Sequence, residues 1–198
     1  LRWVKRSMDV LGSAFFLLMT SHILLAAMIA IKLEDGGPIF FKQRRVGLNG
    51  EEFDCLKLRS MCVDAEARLA ELQAKNEGAG ILFKMKDDPR ITRVGKIIRR
   101  FSVDELPQLW NVFRGDMSLV GPRPALPKEV AQYDFDTRRR LRVRPGLTGL
   151  WQVSGRSRLS AEDSQRLDLY YVDNWSLSQD FNILLRTAKA VVGSDGAY

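Results

Sequence analysis

Asp104 and Glu105 stand side by side in the stretch Phe101-Ser102-Val103-Asp104-Glu105-Leu106-Pro107-Gln108-Leu109-Trp110, directly after Arg99-Arg100. A carboxylate beside guanidinium groups is stabilised as the anion. In that state it can attack phosphorus or bind a hard cation such as Mg2+. Asp104 and Glu105 are therefore the candidate catalytic pair and the candidate metal ligands. A capping role competes with this reading, because Ser102-x-x-Glu105 has the capping-box pattern. Pro107 argues against that register: with Ser102 as N-cap it falls past the first turn, where its missing N–H breaks a helical bond. With Asp104 as the cap, Pro107 lies at N3, whose donor is unpaired anyway. The helix N-terminus then favours the Asp104 anion further.

Phosphate chemistry needs cations, and the chain supplies them. Gly121-Pro122-Arg123-Pro124 is a rigid turn presenting one guanidinium, whose planar fork suits phosphate oxygens. Lys84 to Arg100 carries seven cations, read either as a solvated face or as a surface for phosphate and lipid headgroups. Arg138 to Arg144 (RRRLRVR) packs five arginines into seven residues, a pattern that usually marks a solvated or lipid-facing surface. Trp151 to Arg156 joins an aromatic platform to a further arginine, and Asp168, in the aromatic-rich DLYYVDNW, is read as facing inward.

These residues need elements to hold them. Asp35-Gly36-Gly37-Pro38 signals a turn, Ile39-Phe40-Phe41 a short strand and Val46 to Gly50 a second turn. Phe53 to Met61 alternates as a strand, with Phe53, Cys55 and Met61 assigned to one face and Lys57 and Arg59 to the other. Arg59 is also a substrate-binding candidate. Asp64 to Lys75 reads as a charged helix with Leu69 and Leu72 as its apolar stripe, closed by Asn76 to Gly80. Asp180 caps a last helix whose stripe is Phe181, Leu184, Leu185, Ala188, Val191 and Val192, assigned to core packing over a membrane-interface role.

Val10 to Ile31 contains no Lys, Arg, Asp or Glu over 22 residues. As a helix it would reach about 33 Å, enough to cross a hydrocarbon core. Lys32-Leu33-Glu34-Asp35 follows instead of a small-residue cleavage site, which argues against a signal peptide. Cations flank both ends: Arg2, Lys5 and Arg6 before the run, Lys32, Lys42, Arg44 and Arg45 after it. The preference of such residues for the cytoplasmic side disfavours a straight span. A re-entrant helix satisfies both ends, with Thr20-Ser21-His22 as its bend, because Ser and Thr can bond back to carbonyls of the preceding turn. The fold expected is α/β: a mainly helical, membrane-associated domain with a short sheet and an N-terminal re-entrant membrane helix. Residues 1–32 form the helix with its basic flank. Residues 33–198 form a cytoplasmic catalytic domain that includes interfacial amphipathic helices.

Composition agrees with this. The 198 residues carry a net charge of +7, from 31 Lys and Arg against 24 Asp and Glu, which implies anionic partners. No nucleic-acid motif of recognised type is present. Cys55 and Cys62 are too few for a disulfide framework and lack metal-site spacing, consistent with reduced thiols in a cytosolic compartment. The chain opens on Leu1 rather than Met, which predicts sequence upstream. Oligomeric state stays open, a homo-oligomer included. The rival from another class is a membrane-tethered basic binding protein without catalysis, which explains the charge and the anchor but not the acid pair among arginines.

Six motifs in order carry a more specific resemblance: KRSMDV, GGPIFFKQRRVG, FDCLKLRSM, DDPRITRVGKIIRRFSVDELPQLWNVFRGDMSLVGPRP, RPGLTGLWQVSGR and DLYYVDNWSL. Together they resemble the catalytic unit of the bacterial polyprenyl-phosphate sugar-1-phosphate transferases, the monotopic phosphoglycosyl transferases. The resemblance implies an enzyme of the bacterial inner membrane with its catalytic domain on the cytoplasmic face. It would move a sugar-1-phosphate from a nucleoside-diphosphate sugar, UDP being the expected nucleotide, to undecaprenyl phosphate and release the nucleoside monophosphate. That is the first membrane step of exopolysaccharide, capsule or O-antigen synthesis. Asp104 would be the nucleophile, forming a covalent phosphosugar intermediate with Mg2+ required, and Glu105 would assist through the metal or proton transfer. Arg123 would hold a phosphate. Lys57, Arg99 and Asp168 also match functional positions, and Arg156 is added on chemistry alone. One departure stands out: the family bends its membrane helix at Ser-Pro, whereas Ser21 is followed here by His22, which keeps a backbone donor and lacks the proline kink.

Overall fold

The computed structural model describes residues 2–72, 85, 87–155 and 159–192. Its first element, α1 (Arg2–Asp35), is one uninterrupted helix of 34 residues. Among the described residues it is the one helix long and apolar enough to cross a membrane. No break interrupts it at Thr20-Ser21-His22, but both hydroxyls bond back as the sequence predicts. Thr20 Oγ1 donates to Phe16 O at 2.7 Å and Ser21 Oγ to Leu18 O at 2.8 Å. Leu11, Phe15, Leu18, Leu25 and Leu33 are exposed along its length. Its buried positions are Asp9 and Ser13 near one end and Ala27 and Ile31 near the other.

Both ends rest on the same body. Next to the first half lies a core of Cys55, Leu109, Val112, Met117, Leu119, Val120, Tyr171 and Ile183, against which Leu17 packs. Against the second half lies a smaller cluster in which Ala27 and Ile31 meet Leu58 and Ile98. Between the two clusters runs an antiparallel hairpin, β1 (Phe40–Val46) and β2 (Glu52–Leu58), in the register Arg45↔Phe53, Gln43↔Cys55 and Phe41↔Lys57. Successive strand residues face opposite sides, so Cys55 and Lys57 share one face while Leu58 supplies the other cluster. That parity corrects the sequence assignment, which separated Lys57 from Cys55. β1 is also longer than Ile39-Phe40-Phe41 suggested, because its pairing continues through Arg45.

The remaining chain is mainly helical. α2 (Ala65–Leu72) realises the described part of the predicted charged helix; its continuation to Lys75, the closing turn at 76–80, Lys84 and Lys86 lie outside the described residues. α3 (Arg93–Arg100) is capped by Thr92, whose hydroxyl accepts from Gly95 N at 2.9 Å. α4 (Gln108–Arg114) is closed by Gly115 at φ 103°, a left-handed C-cap that glycine adopts without strain. β3 (Ser118–Val120) then pairs in parallel with β4 (Gly146–Thr148), flanking the short α5 (Pro127–Val130). α6 (Ala161–Asp173) and α7 (Leu177–Val192) finish the fold. The inward face of α7 is Asp180 and Ile183, with Phe181 and Leu185 exposed. Of the predicted stripe, Leu184 packs against the core as expected and Phe181 and Leu185 do not, while its continuation at Val191 and Val192 lies outside the described side chains.

Two predicted surface or ligand cations are structural instead. Arg90 is buried against Asp88 at 2.6 Å. Arg59, proposed above to bind substrate, is 7% exposed and spends its guanidinium on the end of α1. It pairs with both Asp35 oxygens and donates to Pro38 O at 2.5 Å and Met61 O at 3.1 Å. This bidentate pair holds Asp35 down at about 2. Arg59→Met should therefore destabilise the fold by about 1 kcal/mol, since it removes the buried guanidinium's bonds to Asp35, Pro38 O and Met61 O. The check is thermal unfolding in lipid nanodiscs, with the donor KM of the folded fraction unchanged.

Candidate active site

The acid pair is delivered by a single 3-10 turn. Ser102 sits in the left-handed region at φ 55°, ψ 24° and provides no side-chain cap. Val103–Glu105 then forms the turn, with Glu105 N bonded to Ser102 O at 3.2 Å and Leu106 N to Val103 O at 3.2 Å. α4 begins only after Pro107, which occupies its N-cap position. Neither capping register drawn from the sequence forms, because the left-handed residue and the proline split the segment into a turn and a separate helix. Asp104 is 9% exposed, whereas the Glu105 side chain is 40% exposed and meets Lys57 Nζ at 2.7 Å. β2 thus brings Lys57 to the pair across 48 residues of chain.

The electrostatics of Asp104 reverse the sequence expectation. Burial raises its carboxyl to about 6, the adjacent Glu105 charge adds to the rise, and Lys57 and Arg99 pull it back. Desolvation outweighs the cations. Arg99, half-buried in the last turn of α3, acts through its charge, and Arg100 lies outward over the Phe101 ring at 5.6 Å. At neutral pH the carboxylate remains mainly ionised, and it is more basic than an exposed aspartate.

The Arg123 turn is held by backbone packing. Gly121 and Gly146 pack backbone to backbone: a Cβ on Gly146 would stand 2.1 Å from Gly121 N, so no other residue fits. Gly146 N bonds to Pro122 O at 2.8 Å, and Gly121 N to Thr148 O at 2.9 Å. Arg123 Nη1 meets Glu129 Oε1 at 3.2 Å. The other Glu129 oxygen accepts from Leu126 N at 2.5 Å and lies 3.9 Å from Arg45 Nη1. Arg45, opposite Phe53 in the hairpin, donates to Pro124 O at 2.9 Å and to Gln43 Oε1. Burial and the neighbouring Arg123 push Arg45 down to about 10, and Glu105 is among the carboxylates opposing this. Glu105, Lys57, Arg45 and Arg123 therefore surround one face of the hairpin.

Asp168 lies behind this turn and is 1% exposed. Its carboxylate meets Arg140 Nη2 at 2.5 Å, and Arg140 also donates to the Tyr133 hydroxyl at 2.6 Å and to Arg123 O at 3.4 Å. Burial raises Asp168 to about 6, with Arg140 and Arg123 opposing. Asp168 was nominated to bind substrate, but it backs the Arg123 turn from inside the protein. A cleft opens on Arg123 between Gly47, Pro122, Tyr133 and Arg140. Arg156 lies outside the described residues. Sequence reasoning missed Arg45, Glu129, Tyr133 and Arg140. Arg140 was hidden among five arginines, and Arg45 lay beyond the predicted end of its strand.

The family model for bacterial sugar transferases matches residues 1–194. The chain belongs to the bacterial sugar transferase family. It is 46% identical over 198 residues to the exopolysaccharide production protein ExoY of Sinorhizobium fredii, covering 98% of this chain and 88% of that protein. It is 44% identical over 201 residues to the undecaprenyl-phosphate galactose phosphotransferase of Salmonella typhimurium, covering 100% of this chain and 42% of that protein. A third relative, the UDP-glucose:undecaprenyl-phosphate glucose-1-phosphate transferase of Caulobacter vibrioides, is 41% identical over 211 residues, with 98% and 72% covered. The chain thus spans less than half of some relatives and most of others.

For a sugar transferase, the arrangement offers one buried, basic carboxylate, a second carboxylate held by a lysine, and an arginine turn fixed from behind. Carbon-13 NMR titration of Asp104 should give a midpoint near 6. Lys57→Met should move that midpoint upward, because it removes a cation that favours the anion. A midpoint near 4 in the wild-type protein would contradict the desolvated site.

Proposed function

We propose that the protein transfers a sugar-1-phosphate from a nucleoside-diphosphate sugar, with UDP as the expected nucleotide, to undecaprenyl phosphate through a covalent Asp104 intermediate. The observation that carries the reading is the buried Asp104 carboxylate, raised to about 6 and set between Lys57, Arg99 and Glu105. The names of the Salmonella and Caulobacter relatives support the lipid acceptor and, for the second, the UDP donor.

In the first half, an Asp104 oxygen attacks the phosphorus that bears the sugar. The bond from that phosphorus to the bridging oxygen breaks, and the nucleoside monophosphate leaves with the electron pair, needing no proton. In the second half, a phosphate oxygen of the lipid attacks the same phosphorus, and the bond to Asp104 breaks. The products are the lipid diphosphate sugar and the free carboxylate. Two displacements let one residue serve a soluble donor and a membrane acceptor in turn. Arg123, held ready by Glu129, is placed to take a donor phosphate, and Lys57 and Arg99 offset the charge that two phosphates bring.

Mg2+ fits this donor set as a shared ion rather than a caged one. Among the described residues no cluster of three or more His, Cys, Asp or Glu exists. Mg2+ commonly takes one or two carboxylates and completes its shell with substrate phosphates and water. Asp104 and Glu105 would supply the carboxylates, and the ion would neutralise phosphate charge. The acceptor lies in a bilayer, and the apolar face of α1, with Leu11, Phe15, Leu18 and Leu25 exposed, suits contact with it. Confinement there would limit the acceptor to two dimensions and favour its approach.

Asp104→Asn should lower transfer by roughly a thousandfold or more while folding and membrane association persist. Donor and Mg2+ without acceptor should add one sugar-phosphate mass to the wild-type protein and none to the variant. If rapid quenching and intact-protein mass spectrometry never find that mass, a direct displacement replaces the covalent step. A panel of nucleotide sugars scored by monophosphate release identifies the donor.

A further inference from the structure

The cations that open α1 do not behave as a membrane-facing flank. Arg6 donates to Val112 O at 2.7 Å and Phe113 O at 2.6 Å, closing the last turn of α4. The Lys5 side chain is 17% exposed, and its ammonium meets Asp180 Oδ2 at 2.6 Å and donates to Val120 O at 3.0 Å. Asp180 is 1% exposed and also takes the Tyr171 hydroxyl at 2.7 Å and Trp175 Nε1 at 3.1 Å. One turn further along α1, Asp9 accepts from Ser118 Oγ and from Leu119 N, each at 2.9 Å. β3 pairs with β4 on one edge. Its other edge is served by side chains of α1. Val120, whose carbonyl accepts from Lys5 and also from the Tyr171 hydroxyl at 3.0 Å and Ser118 Oγ at 2.9 Å, immediately precedes Gly121-Pro122-Arg123.

We propose that Lys5 is a positioning residue for Arg123, so that the first turn of the N-terminal helix sets the phosphate-binding turn. This rests on the transfer reaction proposed above and on Arg123 as its phosphate contact. The chain of contacts is short: the ammonium fixes Val120 O, Val120 fixes Gly121, and the packing of Gly121 on Gly146 leaves the Arg123 turn no independent freedom. Asp180 makes the arrangement stiff, because a carboxylate buried among Lys5, Tyr171 and Trp175 ties α7 and α6 to the same point. Removing the ammonium leaves the buried Asp180 carboxylate without its cation and takes one of three donors from Val120 O, so the strand end that leads into the turn shifts.

The test uses the full chain in lipid nanodiscs. Lys5→Met should raise the donor KM about tenfold, with the membrane-bound fraction unchanged, and Lys5→Arg should restore most of the loss. In an Arg123→Ala background, Lys5→Met should raise KM by less than about twofold, because the contact it positions is already gone. Multiplying effects of the two substitutions would show a general structural role and overturn the proposal. So would a loss of membrane-bound protein with normal KM in the fraction that remains. If Lys5→Met does not fold, Lys5→Gln keeps a donor to Val120 and should show the same KM pattern at smaller amplitude. Should wild-type protein release no monophosphate from any nucleotide sugar, the reaction reading fails by itself. Hydrogen exchange then decides the positioning claim: Lys5→Met must speed exchange of the Gly121 and Arg123 amides more than that of Leu56 or Tyr171, and uniform acceleration refutes it.

Discussion

One interaction pattern governs this molecule: the charged ties between α1 and the body are made at its ends, on either side of the uncharged run Val10 to Ile31. The N-terminal end supplies Lys5, Arg6 and Asp9 to α4 and β3. The C-terminal end supplies Glu34, which accepts from Arg93 N at 2.8 Å at the start of α3, and Asp35, which holds Arg59 beyond β2. These are the segments that bracket the site. α3 leads into the acid pair, α4 leaves it, and β3 runs into the Arg123 turn. A helix with polar groups spread along its length would have no need to concentrate its contacts in this way, and the site would not be framed by one element.

Inside that frame, the chemistry depends on a balance of opposing terms at Asp104. Burial alone would neutralise the carboxyl, while full pairing with cations would hold it as an inert anion. Lys57 is therefore informative: its ammonium bonds to Glu105, so it lowers the Asp104 carboxyl by charge without occupying its oxygens. Arg99 acts the same way from α3. The Asp104 carboxyl is thus raised by burial without a cation bonded to its oxygens. Glu129 lies between two arginines, 3.2 Å from Arg123 and 3.9 Å from Arg45, and so fixes the Arg123 turn to β1.

What the sequence made legible was local. The acid pair, the Gly-Pro-Arg-Pro turn, the hairpin and the long apolar helix each declare themselves within a few residues, through charge, turn chemistry or run length. The ties that matter most span much longer separations: 28 residues for Arg140 and Asp168, 79 for Arg45 and Pro124, 175 for Lys5 and Asp180. No periodicity encodes such pairs. Five arginines in RRRLRVR look alike as a sequence, and only packing selects Arg140 for burial. Two errors had a different source. Lys57 was separated from Cys55 although strand parity unites residues two apart, and the α7 stripe was phased on Phe181 although Ile183 is the residue at 1% exposure.

The acid pair itself shows why local reading stopped short of the site. In an α-helical cap, Asp104 and Glu105 would share one solvated helix start. In the 3-10 turn neighbouring side chains diverge by about 120°, and with Ser102 and Pro107 fixing its direction one is buried while the next reaches outward. That is the arrangement found, with Asp104 enclosed and Glu105 on Lys57. The turn is bounded by Ser102, a non-glycine residue at φ 55°, a conformation that costs on the order of 1 kcal/mol. Glycine would relieve that cost but loosen the turn. Serine in the left-handed region, fixed between α3 and Pro107, gives two adjacent carboxylates two different environments.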